Sequence, residues 1–404
     1  MKKIISILFS IMSIMLLIGC AEENQKEQQQ ESRQEVSAVT LTVWTPQEEQ
    51  DRSHNWLFHL CDSFSQTHPE WDITWKLGVC DAQSVLKTFS ADPAQAADVY
   101  LFTSEQLEEL IDADFLAQFG GDTLSLIQAN SPRAVLDTVK GSDGGVYGIP
   151  LSVNTELLYY DKSFFSESDI ATLNQMANKN TVAVPIDRPW VLSSFYAADG
   201  GMDWIDTEEG YAFNEAEAIE ATKSISALVN KPNIIKENGA KAIEEKNAKA
   251  AFARSDDAAK IQQILEDDFG VSVLPCIEIG GQQKPLKNFI QTTAVGVNPD
   301  CSYPQAAIEF ASYLASEKAQ LNRYHLLGYI PASVLAYSDQ AVNADAILSV
   351  HKMALGENAM AQPSQKAAAL FNKAEGWLAD ALKSGAVTED NAAGITQKFM
   401  ELAD

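Results

Sequence analysis

The sequence predicts an α/β protein of two units, joined by a strand that crosses from one unit to the other. Strand and helix patterns alternate between residues 40 and 115, which is typical of a parallel sheet covered by helices. The same alternation begins again at residue 181, after an extended segment in the middle of the chain. The length of 404 residues is enough for two domains.

The central segment 144–165, GGVYGIPLSVNTELLYYDKSFF, is the stretch around which the other patterns are arranged. Pro150 cannot donate to a sheet ladder, so the strand is expected to change partners there. Ser152 and Asn154 are polar among apolar neighbours. The segment therefore suits a hinge strand that lines a cleft, although an ordinary core strand has the same pattern.

The other elements follow from periodicity. In the first long helix, for example, Leu57, Leu60, Cys61 and Phe64 fall on one face at helical spacing. Strands are predicted at 40–44, 73–75, 98–102, 181–185, 271–274 and 292–297, and helices at 48–67, 84–90, 105–115, 191–198, 215–229, 241–253, 306–314, 318–324, 341–354, 366–384 and 388–403. Ligands bind beyond the carboxyl ends of strands in such sheets, which here means after residue 44 and at 102–105.

The chain begins with a targeting segment. Lys2 and Lys3 precede an apolar run at 4–18, which predicts a signal peptide over 1–19 that is too short to span a bilayer comfortably. The ending LIGC resembles the lipobox of bacterial lipoproteins, which implies that Cys20 carries a lipid anchor. A plain signal or an uncleaved anchor helix is the alternative. Residues 20–38 are rich in Glu and Gln and are expected to form a disordered linker.

The other four cysteines, Cys61, Cys80, Cys276 and Cys301, form an even set in a chain that is expected to be exported. Local pairing, Cys61 with Cys80 and Cys276 with Cys301, is the favoured disulfide pattern. Two other connectivities and free buried thiols stay open.

Composition and motifs argue against two classes of function. The formal net charge of −27 disfavours binding to nucleic acid and to anionic lipid. The five histidines are scattered, and the sequence has no H-E-x-x-H, G-x-S-x-G, P-loop or G-x-G-x-x-G motif. The sequence therefore predicts no enzyme activity, no metal site and no cofactor.

The order of the segments resembles the extracellular solute-binding proteins of carbohydrate ABC importers, in the branch of the maltose/maltodextrin-binding proteins. The likeness covers nearly the whole chain after the linker, and no single motif decides it. The segments that carry it are LTVW at 41–44, ADVYLF with Glu105 at 97–105, the central segment 144–165, RPWVLSSFYAADGG at 188–201, AKAAFARSDDAAKI at 248–261, DDFGVSVLP at 267–275, TAVGVNPDCSYPQAAIEFASYLAS at 293–316 and GYIPAS at 328–333.

The resemblance implies a two-lobed fold of the periplasmic-binding-protein type II. Each lobe is then a mostly parallel sheet flanked by helices, with a cleft between the lobes. It implies that lobe 1 comprises 39–152 plus 293–338 and that lobe 2 comprises 153–292 plus 339–404. The expected partners are a carbohydrate ligand and the permease subunits of an ABC transporter. The expected location is the extracytoplasmic face of the cell membrane, reached through the lipid anchor, and a monomer is expected.

The resemblance also implies a set of ligand-binding residues. Polar contacts are expected from Glu48, Glu105 and Asn154, and stacking contacts from Phe102, Trp190 and Phe371. Aromatic planes cover the C–H face of a pyranose, while carboxylates and amides take its hydroxyls. Each aromatic or carboxylate also has a plain structural interpretation, as a core side chain or as a carboxylate at a helix start.

Three positions depart from the family pattern. Asn154 stands where a carboxylate is frequent, Arg188 replaces an acidic residue, and Asp256 stands where a stacking Trp is usual. A smaller or partly charged saccharide is one consequence. A receptor for a peptide, polyamine or metal on the same fold, and a surface interaction lipoprotein without a transport role, are the alternatives.

Overall fold

The chain folds around two mixed β-sheets that are flanked by helices. The computed structural model describes residues 36–51, 55–188, 190–198, 202–203, 212–338, 344–356, 358–362 and 365–403, without the side chains of 202–203, 212–213, 365–372 and 403. The predicted signal peptide, Cys20 and nearly all of the predicted linker lie outside the described residues.

The strands and helices are as follows. The strands are β1 Ser37–Thr45, β2 Trp71–Val79, β3 Val99–Thr103, β4 Ile149–Asn154, β5 Glu156–Asp161, β6 Val182–Ala183, β7 Met202–Asp203, β8 Ala212–Phe213, β9 Ile234–Ile235, β10 Ala250–Arg254, β11 Phe269–Ser272, β12 Cys276–Ile279, β13 Gln282–Pro285, β14 Asn288–Val297 and β15 Ala359–Ala361. The helices are α1 Gln47–Gln50, α2 Trp56–Thr67, α3 Val85–Ala91, α4 Leu107–Asp112, α5 Gly121–Asn130, α6 Arg133–Asp137, α7 Leu173–Lys179, α8 Val191–Ala198, α9 Glu215–Val229, α10 Gly239–Glu244, α11 Ala258–Leu265, α12 Pro304–Leu314, α13 Glu317–Leu327, α14 Ala346–Ala354, α15 Gln365–Lys383 and α16 Ala392–Ala403.

The first sheet has six strands in the order β15-β14-β3-β1-β2, with β4 paired to β14. β1 runs parallel to β2 and β3, whereas β14 runs antiparallel to β3 and β4. One apolar cluster packs this sheet against its helices and includes Val43, Trp56, Phe64 and Phe310.

The second sheet has five strands in the order β11-β5-β10-β6-β9. β10 is parallel to β6, and β6 to β9, while β5 is antiparallel to β10 and β11. The sheet is buried on both faces, because Leu158 and Tyr160 of β5 belong to one apolar cluster and Leu157 and Tyr159 to another. Parallel pairing thus holds within β1–β3 and within β6, β9 and β10. β14 is also parallel to β15, whereas its ladders with β3 and β4, and those of β5 with β10 and β11, are antiparallel.

The central segment crosses between the two sheets as predicted. β4 belongs to the first sheet and β5 to the second, and only Thr155 separates them. β14 runs beside β15 at residue 288 and beside β3 at residue 297. A third piece of chain runs along β4, where the N–H of Val153 donates to the carbonyl of Ile330 at 2.9 Å. The lobe boundaries given above stay a prediction.

The predicted helix at 241–253 is wrong. The structure has α10, which ends at Glu244, and then β10, which pairs with both β5 and β6 in the middle of the second sheet. Ala250 and Phe252 face one apolar cluster, and Ala251 and Ala253 face the other. A strand buried on both faces reads as a continuous apolar run, which period alone does not distinguish from a helix.

The predicted disulfides are not formed, since all four described cysteines are free thiols. Cys80 lies after β2, and its Sγ donates to the Thr88 hydroxyl at 3.5 Å. Cys276 begins the hairpin β12–β13, next to the apolar cluster of the second sheet, whereas Cys301 belongs to the cluster of the first sheet. Burial raises the pKa of Cys61 and of Cys301 to about 12, as expected for inert thiols in an apolar core.

In the part of the chain that the structure describes, no helix has the length and apolar character needed to cross a membrane.

A matched pair of glycine substitutions tests how α10 packs on β10. A Cβ on Gly239 would lie 1.9 Å from the backbone carbonyl oxygen of Phe252, while a Cβ on Gly394 in α16 would meet nothing within 4 Å. We expect Gly239→Ala to lower the free energy of unfolding by about 2 kcal/mol or more. Gly394→Ala should raise it by roughly 0.5 kcal/mol, since Ala is the better helix former. Equal stability of the two variants in denaturant titrations would contradict this packing.

Candidate functional site

Two adjoining cavities lie between the sheets. The larger one, the strand-end chamber, has a volume of about 250 Å³ and lies where β1, β2 and β3 end. Because the carboxyl ends of parallel strands meet at one edge of a sheet, the segments after them converge here. Its lining consists of Pro46, Glu48, Asp81, Ala82, Gln83, Thr103, Ser152, Val153, Asn154, Arg254, Asp256, Gln291, Thr293, Arg323, Tyr329 and Ile330.

The smaller cavity, the aromatic chamber, has a volume of about 120 Å³ and lies against the second sheet. Three aromatic rings and several charged groups meet in it. Its lining consists of Glu105, Asn154, Thr155, Glu156, Arg188, Trp190, Val191, Ser194, Phe252, Arg254, Leu274, Lys287, Phe289, Gln291 and Gln362. Apolar planes beside a few directed polar groups are the usual composition of a small-molecule site.

A buried ion pair fixes one wall of the strand-end chamber. Arg323 of α13 donates from Nε and Nη2 to Oε1 of Glu49, at 2.9 and 2.5 Å, and from Nη1 to the Ser152 hydroxyl at 2.8 Å. Its guanidinium lies 4.0 Å from the ring centre of Tyr329, whose hydroxyl donates to Glu48 at 2.7 Å. Burial raises the pKa of Glu49, and Arg323 opposes that shift. Glu48 is thus held at the chamber by Tyr329.

Asn154 and Asp256 meet at the junction of the two chambers. The Asn154 side chain donates to Oδ2 of Asp256 at 2.5 Å and accepts from the backbone N–H of Ser255 at 3.2 Å. Arg254 donates to the same carboxylate oxygen at 3.3 Å and to Oε1 of Gln291 at 2.9 Å. Where the resemblance implies a stacking Trp, this chain has a hydrogen-bonded polar cluster.

Arg188 lies in the aromatic chamber as one half of an ion pair. Its Nη1 donates to Oε1 of Glu156 at 2.7 Å, and both side chains are largely buried. Burial raises the pKa of Glu156, while Arg188 and Arg254 oppose the shift. Oε2 of Glu156 has no hydrogen-bond partner among the described residues. The cation that departs from the family pattern is therefore matched by a carboxylate at the start of β5.

Trp190 lines the aromatic chamber from the start of α8. Its backbone has a φ of 74°, a left-handed conformation that is rare for a bulky residue and that points to a local constraint. Its ring lies 5.4 Å from the ring of Phe289. Below it, the buried Glu375 carboxylate accepts from the backbone N–H and the hydroxyl of Ser193, at 2.9 and 2.5 Å. A carboxylate at the start of a helix is favourable.

The remaining predicted site residues lie in different parts of the structure. Glu105 lines the aromatic chamber. Phe102 is fully buried in the apolar cluster of the first sheet, so the expectation that it stacks on a ligand is not supported by its position. The reason is that every residue of β3 is buried inside the sheet. Phe371 lies in α15, and its side chain is outside the described part of the structure.

Several chamber residues were not predicted. Arg254 ends a strand that was interpreted as a helix, and Arg323 has the sequence context of an ordinary helix surface. Gln291 had a usable signal, because it is a polar residue near the middle of the mostly apolar strand β14.

A group of possible metal ligands lies outside both chambers. The ligand atoms of His68, Glu70 and Glu309 are all within 4.8 Å of one another. His68 Nδ1 is 3.0 Å from Glu70 and 3.6 Å from Glu309. Glu309 is distant in sequence, so residue spacing alone did not indicate the group.

The fold and the cleft define a two-lobed binding protein, and comparison with known proteins agrees. The family model of bacterial extracellular solute-binding proteins matches residues 59–350. The chain is also 32% identical to a protein whose structure was solved with acarbose, with a TM-score of 0.78 over 90% of this chain and 98% of that chain. This chain therefore belongs to the bacterial extracellular solute-binding proteins.

Two more distant structures share the fold. The maltodextrin-binding protein MalE1 from L. casei BL23 is 19% identical, with a TM-score of 0.82 over 90% of this chain and 98% of that chain. The maltose-binding periplasmic protein MalE from Listeria monocytogenes, solved in complex with maltose, is 17% identical, with a TM-score of 0.74 over 90% and 97%. These neighbours are binding proteins.

One match carries the name of an enzyme. Thiaminase-1 of Paenibacillus thiaminolyticus is 28% identical over 92 residues, which are 23% of this chain and 22% of that protein. The match thus spans about a fifth of each chain.

The buried Glu375 predicts a pH-dependent stability. Burial raises its pKa to about 7 from an ordinary 4.5. Because the folded-state pKa is the higher one, the contribution of the protonated carboxyl is fully present below about pH 4.5 and is lost as the pH rises through about 7. The wild type should therefore lose on the order of 3 kcal/mol of its free energy of unfolding between these pH limits, and we expect Glu375→Gln not to show this loss. Denaturant titrations across this pH range measure it.

The matched control is Glu278→Gln, at an exposed position of β12. It should leave the pH dependence of unfolding unchanged. If Glu375→Gln and the wild type lose stability in parallel as the pH rises, Glu375 is not the titrating group.

Proposed function

We propose that this protein captures a saccharide of the maltodextrin type in the cleft between its lobes and delivers it to an ABC importer. The observation that carries the proposal is the junction of an aromatic chamber with a polar chamber at the ends of parallel strands. Membership of the extracellular solute-binding family supports it, as does the likeness to a protein solved with acarbose.

The chemistry of the two chambers matches a sugar. A pyranose has an apolar C–H face and a rim of hydroxyls. In this proposal Trp190 covers the apolar face, and Glu48, Glu105 and Asn154 make polar contacts with the hydroxyls. Carboxylate and amide acceptors form directed hydrogen bonds that fix the orientation of a ring.

Anchoring and delivery rest on other parts of the chain. The predicted lipobox cysteine, Cys20, would tether the protein to the extracytoplasmic face of the membrane through the linker at 20–38. The proposed lobes, 39–152 plus 293–338 and 153–292 plus 339–404, would close around the ligand. The closed form is the state that permease subunits would recognise. The proposal includes no catalysis, no cofactor and no nucleic acid.

A cationic solute is the second candidate. Three carboxylates, Glu48, Asp81 and Asp256, line the strand-end chamber, and Arg323 is already neutralised by Glu49. An acidic chamber would suit a polyamine or a basic peptide. A thermal-shift panel of maltodextrins, other saccharides, polyamines and divalent metals separates the candidates, because a ligand that binds only the native state raises the melting temperature.

Removing the Trp190 ring tests the aromatic contact. Its φ of 74° is a conformation that glycine adopts readily, so Trp190→Gly removes the ring without adding backbone strain. We expect the affinity for maltotriose to fall on the order of a hundredfold, about 3 kcal/mol, by calorimetry.

The control is Phe58→Ala, which removes an aromatic ring that is 43% exposed on α2. It should bind maltotriose as the wild type does. Unaltered affinity of a folded Trp190→Gly variant would place Trp190 outside the ligand site.

Ligand binding should close the lobes about the three crossings. Contacts from both sheets are completed only when the lobes meet, so the ligand favours the closed state. Small-angle scattering should show a smaller radius of gyration at saturating maltotriose than without sugar. A radius that stays constant under saturation would favour a rigid receptor.

A further inference from the structure

Among the described residues, Arg254 is the one charged side chain that lines both chambers. The chambers share Asn154, Arg254 and Gln291, and the other two carry neutral amides. A ligand that occupies both chambers has to pass this guanidinium, whereas a single ring in one chamber does not.

The backbone of Arg254 is fixed, while its side chain stays accessible. Arg254 ends β10 and pairs with Glu156 of β5, and the four residues before it are buried. Its side chain is 36% exposed. The sheet therefore positions the base of the side chain at the junction and leaves its charged end open to a ligand.

The bond between Arg254 and Asp256 is replaceable. Its contact with Asp256 is 3.3 Å long, and that carboxylate is 44% exposed. Asp256 also accepts a 2.5 Å bond from Asn154, so it keeps a partner when Arg254 moves away. Exposed ion pairs contribute little to stability. The guanidinium can therefore exchange Asp256 for ligand oxygens at small cost.

The shape of a guanidinium suits the linkage between two sugar rings. Its N–H groups lie in one plane and reach two neighbouring oxygens at once. A glycosidic oxygen with its flanking hydroxyls supplies such a set, and it reaches the junction only when a ring lies on each side. An acidic saccharide is disfavoured, because Glu48, Asp81 and Asp256 would repel its carboxylate.

We infer that Arg254 is a specificity-determining residue that selects saccharides of two or more rings, by donating to the oxygens around the linkage that crosses the chamber junction. This inference rests on the proposed function. Ligand selection is thereby assigned to Arg254, which exchanges its hydrogen bond to Asp256 for hydrogen bonds to the ligand.

Calorimetry on Arg254→Gln with glucose, maltose and maltotriose tests the inference, with glucose measured by displacement of maltotriose. We expect the affinity for maltose and maltotriose to fall about ten- to a hundredfold, the effect of losing a charged hydrogen bond, while glucose changes by less than about threefold. Arg133→Gln is the matched control, because Arg133 is 96% exposed and lines neither chamber. It should bind all three sugars as the wild type does.

Asp256→Asn gives an independent readout. It frees Arg254 from its carboxylate, so maltose should bind at least as tightly as to the wild type. If Asp256→Asn weakens maltose as much as Arg254→Gln does, the pair acts as a structural unit and the inference is wrong. Equal losses of Arg254→Gln for all three sugars, or no loss, also overturn it. A wild type that binds none of the three sugars overturns the proposed function itself.

Discussion

The pairing of β4 with β14 is the constraint on which the cleft depends. Gln291 lies opposite Asn154 at the last rung of this ladder, where β4 ends and beyond which β14 pairs with β15. The Thr155 hydroxyl then donates to the carbonyl of Phe289 at 2.9 Å, and the Asn288 side chain donates to the carbonyl of Glu156 at 2.8 Å. Two residues shared by the chambers are therefore held by strand geometry. A flexible loop could not position them so closely.

Buried polar groups keep the crossing intact where the ladder is irregular. The register of β4 against β14 shifts between Thr293 and Ala294, and such shifts leave backbone groups that need other partners. The N–H of Thr292 donates to the Ser104 hydroxyl at 3.0 Å, and the Thr138 hydroxyl bonds that of Thr292 at 2.7 Å. Thr292 therefore has a structural role in the crossing. Gln291, the preceding residue of β14, lines the cleft instead. Arg323 likewise joins its own segment of the chain to β4, because it donates to the Ser152 hydroxyl as well as to Glu49. Removing either Arg323 or Glu49 would leave a buried charge without its counter-ion.

Helices with one buried face could be predicted from the sequence, whereas β10, an alanine-rich strand buried on both faces, could not. α9 has the predicted bounds, since its apolar residues recur at helical spacing on one side. β10 was missed because an alanine-rich run in the middle of a sheet has no polar face to show its period. The stacking role that the resemblance implies for Phe102 is not supported by its position, because its strand is covered on both sides. In the cleft, the family resemblance indicated Asn154 and Trp190, which both line the aromatic chamber. Arg254 bonds Asp256 two residues further on, but its other partner, Gln291, lies on a distant strand, so no local pattern could reveal that contact.

Under the proposed function, the two chambers would divide affinity from discrimination. A stacking plane accepts any pyranose, since each has a C–H face, so the aromatic chamber would add binding energy with little selectivity. Directed hydrogen bonds discriminate more sharply, because a wrong ligand leaves a buried polar group unpaired. At the position where a stacking Trp was expected, this chain has Asp256, bonded to Asn154 and Arg254. In the proposed site, this difference would replace a stacking contact by directed hydrogen bonds at the junction of the two chambers.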